Sequence, residues 1–111
     1  MSQLIPLHDA ITMTTLYRQY KEIILATNYK NLNILPKCET FDRGDLDDVL
    51  KQDDCVAIRI YYSMGSDYKV HAMIVGVDSN DADILPAGSE KIMENARRCP
   101  TNCPPASSLN S

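Results

Sequence analysis

The sequence predicts an α+β domain, with one long and one short helix packed on a small, mainly antiparallel sheet built on a β-hairpin. Three observations lead there. Apolar residues recur at helical spacing over residues 7–29. A shorter helical pattern covers 42–52, and two alternating apolar runs, 55–62 and 68–78, flank a turn-rich segment.

In the first pattern Met13, Tyr17, Tyr20 and Ile24 fall at i, i+4, i+7 and i+11, with Leu16 and Ile23 widening the stripe. Pro6 precedes it, where a missing N–H does no harm, and Asp9 places negative charge near the helix start. Thr12, Thr14 and Thr15 have low helix propensity, so packing is expected to hold this helix. In the second pattern Asp42 is a candidate N-cap, Asp45 supplies a capping-box-like acid, and Phe41 with Leu46 forms a hydrophobic staple.

Val56, Ile58, Ile60 and Tyr62 alternate, as do Val70, Ala72, Ile74 and Gly76, which is the period of a strand with one buried face. With the turn at Ser63–Asp67, Tyr62 would face Tyr68, Ile60 would face Val70 and Ile58 would face Ala72. The opposite face then pairs Arg59 with His71 and Tyr61 with Lys69. Two Ile-Leu-Pro triplets, at 34–36 and 84–86, suggest short edge strands beside the hairpin. The expected core comprises Ile11, Met13, Leu16, Tyr17, Tyr20, Ile24, Phe41, Leu46, Leu50, Val56, Ile58, Ile60, Val70, Ala72 and Ile74.

The chain has 111 residues, enough for one domain. It divides into a body, 1–86, and a flexible Cys/Pro-rich tail, 87–111, with one or two helical turns possible over Ser89–Arg98. A body this small is marginally stable alone, so self-association or a partner would help it.

The net charge of −4 and the scattered Lys and Arg residues argue against a nucleic-acid partner and against an anionic membrane surface. No apolar run approaches the length of a membrane span, and the first ten residues lack the pattern of a secretory signal. A cytoplasmic location is therefore expected, and with it free thiols at Cys38, Cys55, Cys99 and Cys103.

Cys99 and Cys103, in the segment CPTNCPP, form the least ordinary motif. Their C-x3-C spacing suits half a metal site or a small disulfide loop, and no second pair completes a zinc set. The ordinary alternative is an exposed tail with two plain thiols. Arg59, Tyr61, Lys69 and His71, expected together on one sheet face, could bind an anion or carboxylate. The competing explanation is a solvated sheet face.

The stretch 39–54 is rich in acids, with only Arg43 and Lys51 opposing, and could dock a basic partner or simply be the wet side of a helix. The turn Asp78–Asp83 departs from the calcium-loop template because Ala82 stands at the fifth position. No phosphate loop, nucleophile elbow or HExxH motif occurs, and no cofactor is expected.

The segment CVAIRIYYSMGSDYKVHAMIVGVDSNDADILP and the tail CPTNCPPASSLNS resemble short bacterial proteins with an RIYY-type hairpin and a Cys/Pro-rich C-terminus. The resemblance implies that the tail belongs to a recurring small protein, and it implies no activity or site. Three functions follow from the residues. The first is a non-catalytic interaction module that binds another protein or itself. The second is a thiol-based redox or metal-binding protein using Cys99 and Cys103. The third is a small anionic-ligand binder on the Arg59/His71 face.

Overall fold

The structure, a computed structural model, describes residues 2–86 and 91–111. Its elements run α1 (Leu7–Tyr20), a 3-10 turn (Thr27–Tyr29), β1 (Cys38–Thr40), α2 (Arg43–Leu50), β2 (Ala57–Met64), β3 (Val70–Val77), β4 (Asp83–Ile84) and β5 (Arg97–Cys99). The chain is α+β, as expected. Strands β2, β3 and β4 form one antiparallel sheet, in that order, and β1 pairs with β5 in a second.

The hairpin forms, four residues out of the expected register. Ile60 faces Ile74, Tyr62 faces Ala72 and Ile58 faces Gly76. The turn is the cause. Ser63 and Met64 continue β2, the loop becomes Gly65–Lys69, and the Tyr68 N–H donates to the Gly65 carbonyl at 3.0 Å. Tyr68 takes φ +66°, a left-handed conformation that a strand residue cannot adopt. Because the slip is even, every side chain keeps the face that alternation assigned to it.

Strand β3 organises the core. One edge pairs with β2, and the N–H groups on the other edge are satisfied piecemeal. The Val70 N–H donates to the Ile34 carbonyl at 2.8 Å, Ala72 to Glu39 Oε1 at 2.6 Å, and Ile74 to the Met93 carbonyl at 2.8 Å. Beyond these, Gly76 and Val77 pair with β4. Four separate segments thus do the work of one neighbouring strand, as a buried edge requires.

Helix α2 lies against β3. Val49, Ile74 and Met93 form the buried cluster, with Phe41 and Leu46 packed against it, so the two staple residues meet the core together. Gly76 permits the close approach, since a Cβ there would stand 3.0 Å from Cys55 Sγ and 3.1 Å from Gln52 Nε2. Asp42 sits at the N-cap without a side-chain cap bond; its carboxylate instead meets Arg97 at 2.6 Å.

Helix α1 departs from expectation. It ends at Tyr20 and buries no residue. Met13, Leu16, Tyr20, Ile23 and Ile24 are all exposed. Polar contacts fasten it instead: the Tyr17 hydroxyl donates to the Pro36 carbonyl, Lys21 Nζ to the Leu35 carbonyl at 3.2 Å, and Arg18 to the Leu109 carbonyl. The Thr12 and Thr14 hydroxyls bond back to the His8 and Ala10 carbonyls, the habit that makes threonine a weak helix former. Val56, Ile58 and Ile60, also expected in the core, are exposed, because none of the described residues covers the β2 half of that face.

The C-terminal segment is part of the packed body. Met93 and Cys99 are buried, and β5 completes the small sheet. The expected boundary at residue 86 therefore does not separate packed from unpacked residues, and residues 91–98 form a bridge and a strand instead of helical turns. Ser89 and Glu90, the start of that expected helix, lie outside the described residues. Of the two Ile-Leu-Pro triplets, the second contributes Ile84 to β4. The first is no strand; Ile34 is buried and its flanking carbonyls serve as hydrogen-bond acceptors. Among the described residues, no helix is long and apolar enough to cross a membrane.

Candidate functional site

Arg59 and His71 do not meet. In the observed register Arg59 faces Val75 and His71 faces Ser63, which separates the two by four positions, about 13 Å along the strand. Tyr61 faces Met73, and Lys69 lies in the turn ahead of β3 with its N–H bonded to Asp67 Oδ1 at 3.1 Å. The four residues expected to form one cluster belong to three neighbourhoods.

Arg59 and Tyr61 share the first. Arg59 donates to Asp83 Oδ1 at 2.6 Å and to Asp81 Oδ1 at 2.6 Å, and the Tyr61 hydroxyl donates to Asp83 Oδ2. The network spans from β2 to β4 across the β3 face that carries buried Val75 and Val77. Hydrogen bonds from Tyr61 and Arg59 hold the Asp83 carboxyl below its ordinary value of 3.8. The bond to Asp83 also raises the Tyr61 phenol above 10.0. Two carboxylates, those of Asp81 and Asp83, engage the Arg59 guanidinium, so Arg59 is not free for an anion. Asp81 and Asp83 sit in the Asp78–Asp83 turn, which departs from the calcium-loop template. There Asp78 Oδ1 accepts the Asn80 and Ala82 N–H groups at 2.9 and 3.0 Å, closing a polar turn.

His71 belongs to the second neighbourhood. Its Nδ1 lies 2.9 Å from Glu39 Oε2, and Arg98 Nη1 lies 3.6 Å from the same oxygen. Glu39 and Arg98 are nearly enclosed, with side chains 5% and 10% exposed. Arg98 donates further to the Val70, Asn33 and Ile34 carbonyls. Enclosed Glu39 and Arg98, with half-buried His71, join the two sheets. Lys69, in the third, borders an open depression beside Arg97, Arg98 and Asn102.

The cysteines are not all free. Cys99 and Cys103 form a disulfide, while Cys38 and Cys55 remain thiols. Cys38 is the cross-strand partner of Cys99 in the β1–β5 ladder. No group of three or more His, Cys, Asp or Glu side chains able to hold a metal occurs among the described residues.

A cavity of about 250 Å³ lies between α2 and residues 91–97, lined by Asp42, Asp45, Asp48, Val49 and Arg97 among others. It takes in part of the acidic stretch. Several acids of that stretch are already engaged: Glu39 as above, Asp42 with Arg97, Asp47 with Arg43, and Asp54 with Ser79.

The residues that sequence reasoning missed are Glu39, Arg98, Asp83 and the position of Cys38. None carries a local motif. Each acquires its role from a segment tens of residues away. No protein family, curated protein or solved structure matches the chain.

Proposed function

We propose that this chain is a non-catalytic interaction module whose partner is a second copy of itself, met through the apolar surface of α1 and β2. The supporting observation is the amount of apolar surface left open. Helix α1 buries no residue, and Ile58, Ile60, Tyr62 and Met64 stand exposed in a row on one face of β2. Single exposed apolar residues are ordinary; contiguous rows mark interaction sites.

The area argues for a second copy. A monomer of 12.4 kDa is expected to expose about 6,100 Å². This chain exposes 8069 Å². The excess, about 1,900 Å², exceeds the ~800 Å² per partner of a standard interface and is in the range of obligate homodimers. The radius of gyration, 16.0 Å, likewise exceeds the roughly 13 Å of a compact domain of this length. The outer edge of β2 pairs with no strand among the described residues. A symmetric antiparallel pairing there would place the Ile58, Ile60 and Tyr62 rows of both copies on one continuous face.

Light scattering across a dilution series tests the reading. A dimer is expected, with Leu16→Glu and Ile60→Lys each shifting it toward 12.4 kDa. A monomer at every concentration would refute self-association.

A further inference from the structure

We propose that Cys38, Cys99 and Cys103 form an intramolecular thiol–disulfide switch, in which the disulfide passes from Cys99–Cys103 to Cys38–Cys99. The inference is independent of the self-association reading. It rests on one juxtaposition: the free thiol of Cys38 stands directly across the β1–β5 ladder from the disulfide-bonded Cys99.

Directly opposed residues of antiparallel strands project to the same face, with Cα atoms about 4.5–5.5 Å apart. That separation lies within the span a disulfide bridges. Cys99 is 1% exposed, so thiols from solvent have little access to its sulfur. Cys38 is already beside it and half-buried, whereas Cys103 lies exposed in the turn beyond Pro100.

The step is redox-neutral. Cys38 gives its proton to solvent, and the thiolate attacks Cys99 Sγ. The Cys38–Cys99 bond forms as the Cys99–Cys103 bond breaks, and the bonding pair leaves on Cys103, which takes up a proton. One disulfide and one thiol precede the step, and one of each follows. No outside oxidant or reductant takes part. What changes is position: a bond inside a turn becomes a staple between two strands, and the free thiol moves from a half-buried strand to the surface. There Cys103 can exchange with disulfides of other molecules.

The test is thiol mapping of the full chain, purified without reductant, held in mildly alkaline buffer, quenched in acid, alkylated and digested. In the native protein a Cys38–Cys99 peptide is expected beside Cys99–Cys103, both at monomer mass on a non-reducing gel, with alkylation at Cys103. In Cys38→Ser the Cys103 label is lost. In Cys103→Ser, Cys38–Cys99 is the disulfide that remains. Cys55→Ser changes none of this. Equal Cys103 labelling in the native protein and Cys38→Ser would overturn the proposal. So would a Cys103→Ser protein of native circular dichroism that leaves Cys38 and Cys99 as thiols after air oxidation. The native-protein measurement needs no variant to fold, and absence of the Cys38–Cys99 peptide there also overturns it.

Discussion

Glu39 Oε1 accepts the Ala72 backbone N–H at 2.6 Å, so a carboxylate from one sheet takes the place of a strand carbonyl beside the other. The same carboxylate meets His71 and Arg98. This one side chain fastens β1 to β3 and satisfies an N–H that burial would otherwise strand.

Replacing it should be costly. Glu39→Ala leaves Arg98 enclosed without its carboxylate and Ala72 without an acceptor, and is expected to destabilise the fold by about 3 kcal/mol. Glu39→Gln retains an oxygen for Ala72 and should cost less. Urea unfolding followed by circular dichroism measures both. Equal stability of Glu39→Ala and the native chain would show that the contact does not hold the sheets together.

The C-terminal segment should be indispensable. Met93 is buried against Val49 and Ile74, and Met93→Ala is expected to cost about 2–5 kcal/mol. Removing residues 87–111 deletes Met93, Arg98 and β5 together, and the truncated chain should lose cooperative thermal unfolding. A sharp transition in that chain would mean that residues 1–86 fold alone.

Acid should weaken the hairpin through Asp83. Its folded-state value is depressed, so the unfolded chain takes up the proton first as pH falls. Its stabilising contribution is therefore complete above the ordinary 3.8 and disappears as pH drops through the lower folded value. Tyr61 works in the opposite direction. Its value is raised, so its contribution is complete below 10.0 and disappears as pH climbs through the higher folded value. Asp83→Asn should flatten the acid limb of a stability–pH profile and bring the Tyr61 phenol back toward 10.0 in an ultraviolet titration. A Tyr61 titration unmoved by Asp83→Asn would show that the two do not interact.

Surface and core substitutions should separate cleanly. Val49 is 1% exposed and Leu16 is 57% exposed. Val49→Ala should lower stability by about 2 kcal/mol through lost burial and a cavity. Leu16→Glu should leave the stability of the isolated protomer within about 0.5 kcal/mol and act on association instead. Unfolding curves at low and high protein concentration distinguish the two effects, because only association makes the midpoint depend on concentration.

The sequence by itself determined the class of α1, α2, β2 and β3 and the face of each hairpin residue. Alternation at Val56–Tyr62 and Val70–Gly76 and the staple of Phe41 with Leu46 are local patterns, legible because neighbours in the chain create them. Register was decided at Tyr68, whose left-handed φ places it in the turn, so that the five-residue loop sits two residues further along the chain while parity preserves the faces. What covered each face was a tertiary matter. The stripe on α1 looks like a core stripe because periodicity reports amphipathicity and says nothing of what lies opposite. The contacts that define the candidate sites all join distant segments: Glu39 to Ala72 and His71, Arg59 to Asp83, and Cys38 to Cys99. Only the closed fold decides those: Glu39 and β4 meet the edge of β3, which needs partners that its own hairpin could not supply, and Cys38 meets Cys99 only where β1 pairs with β5.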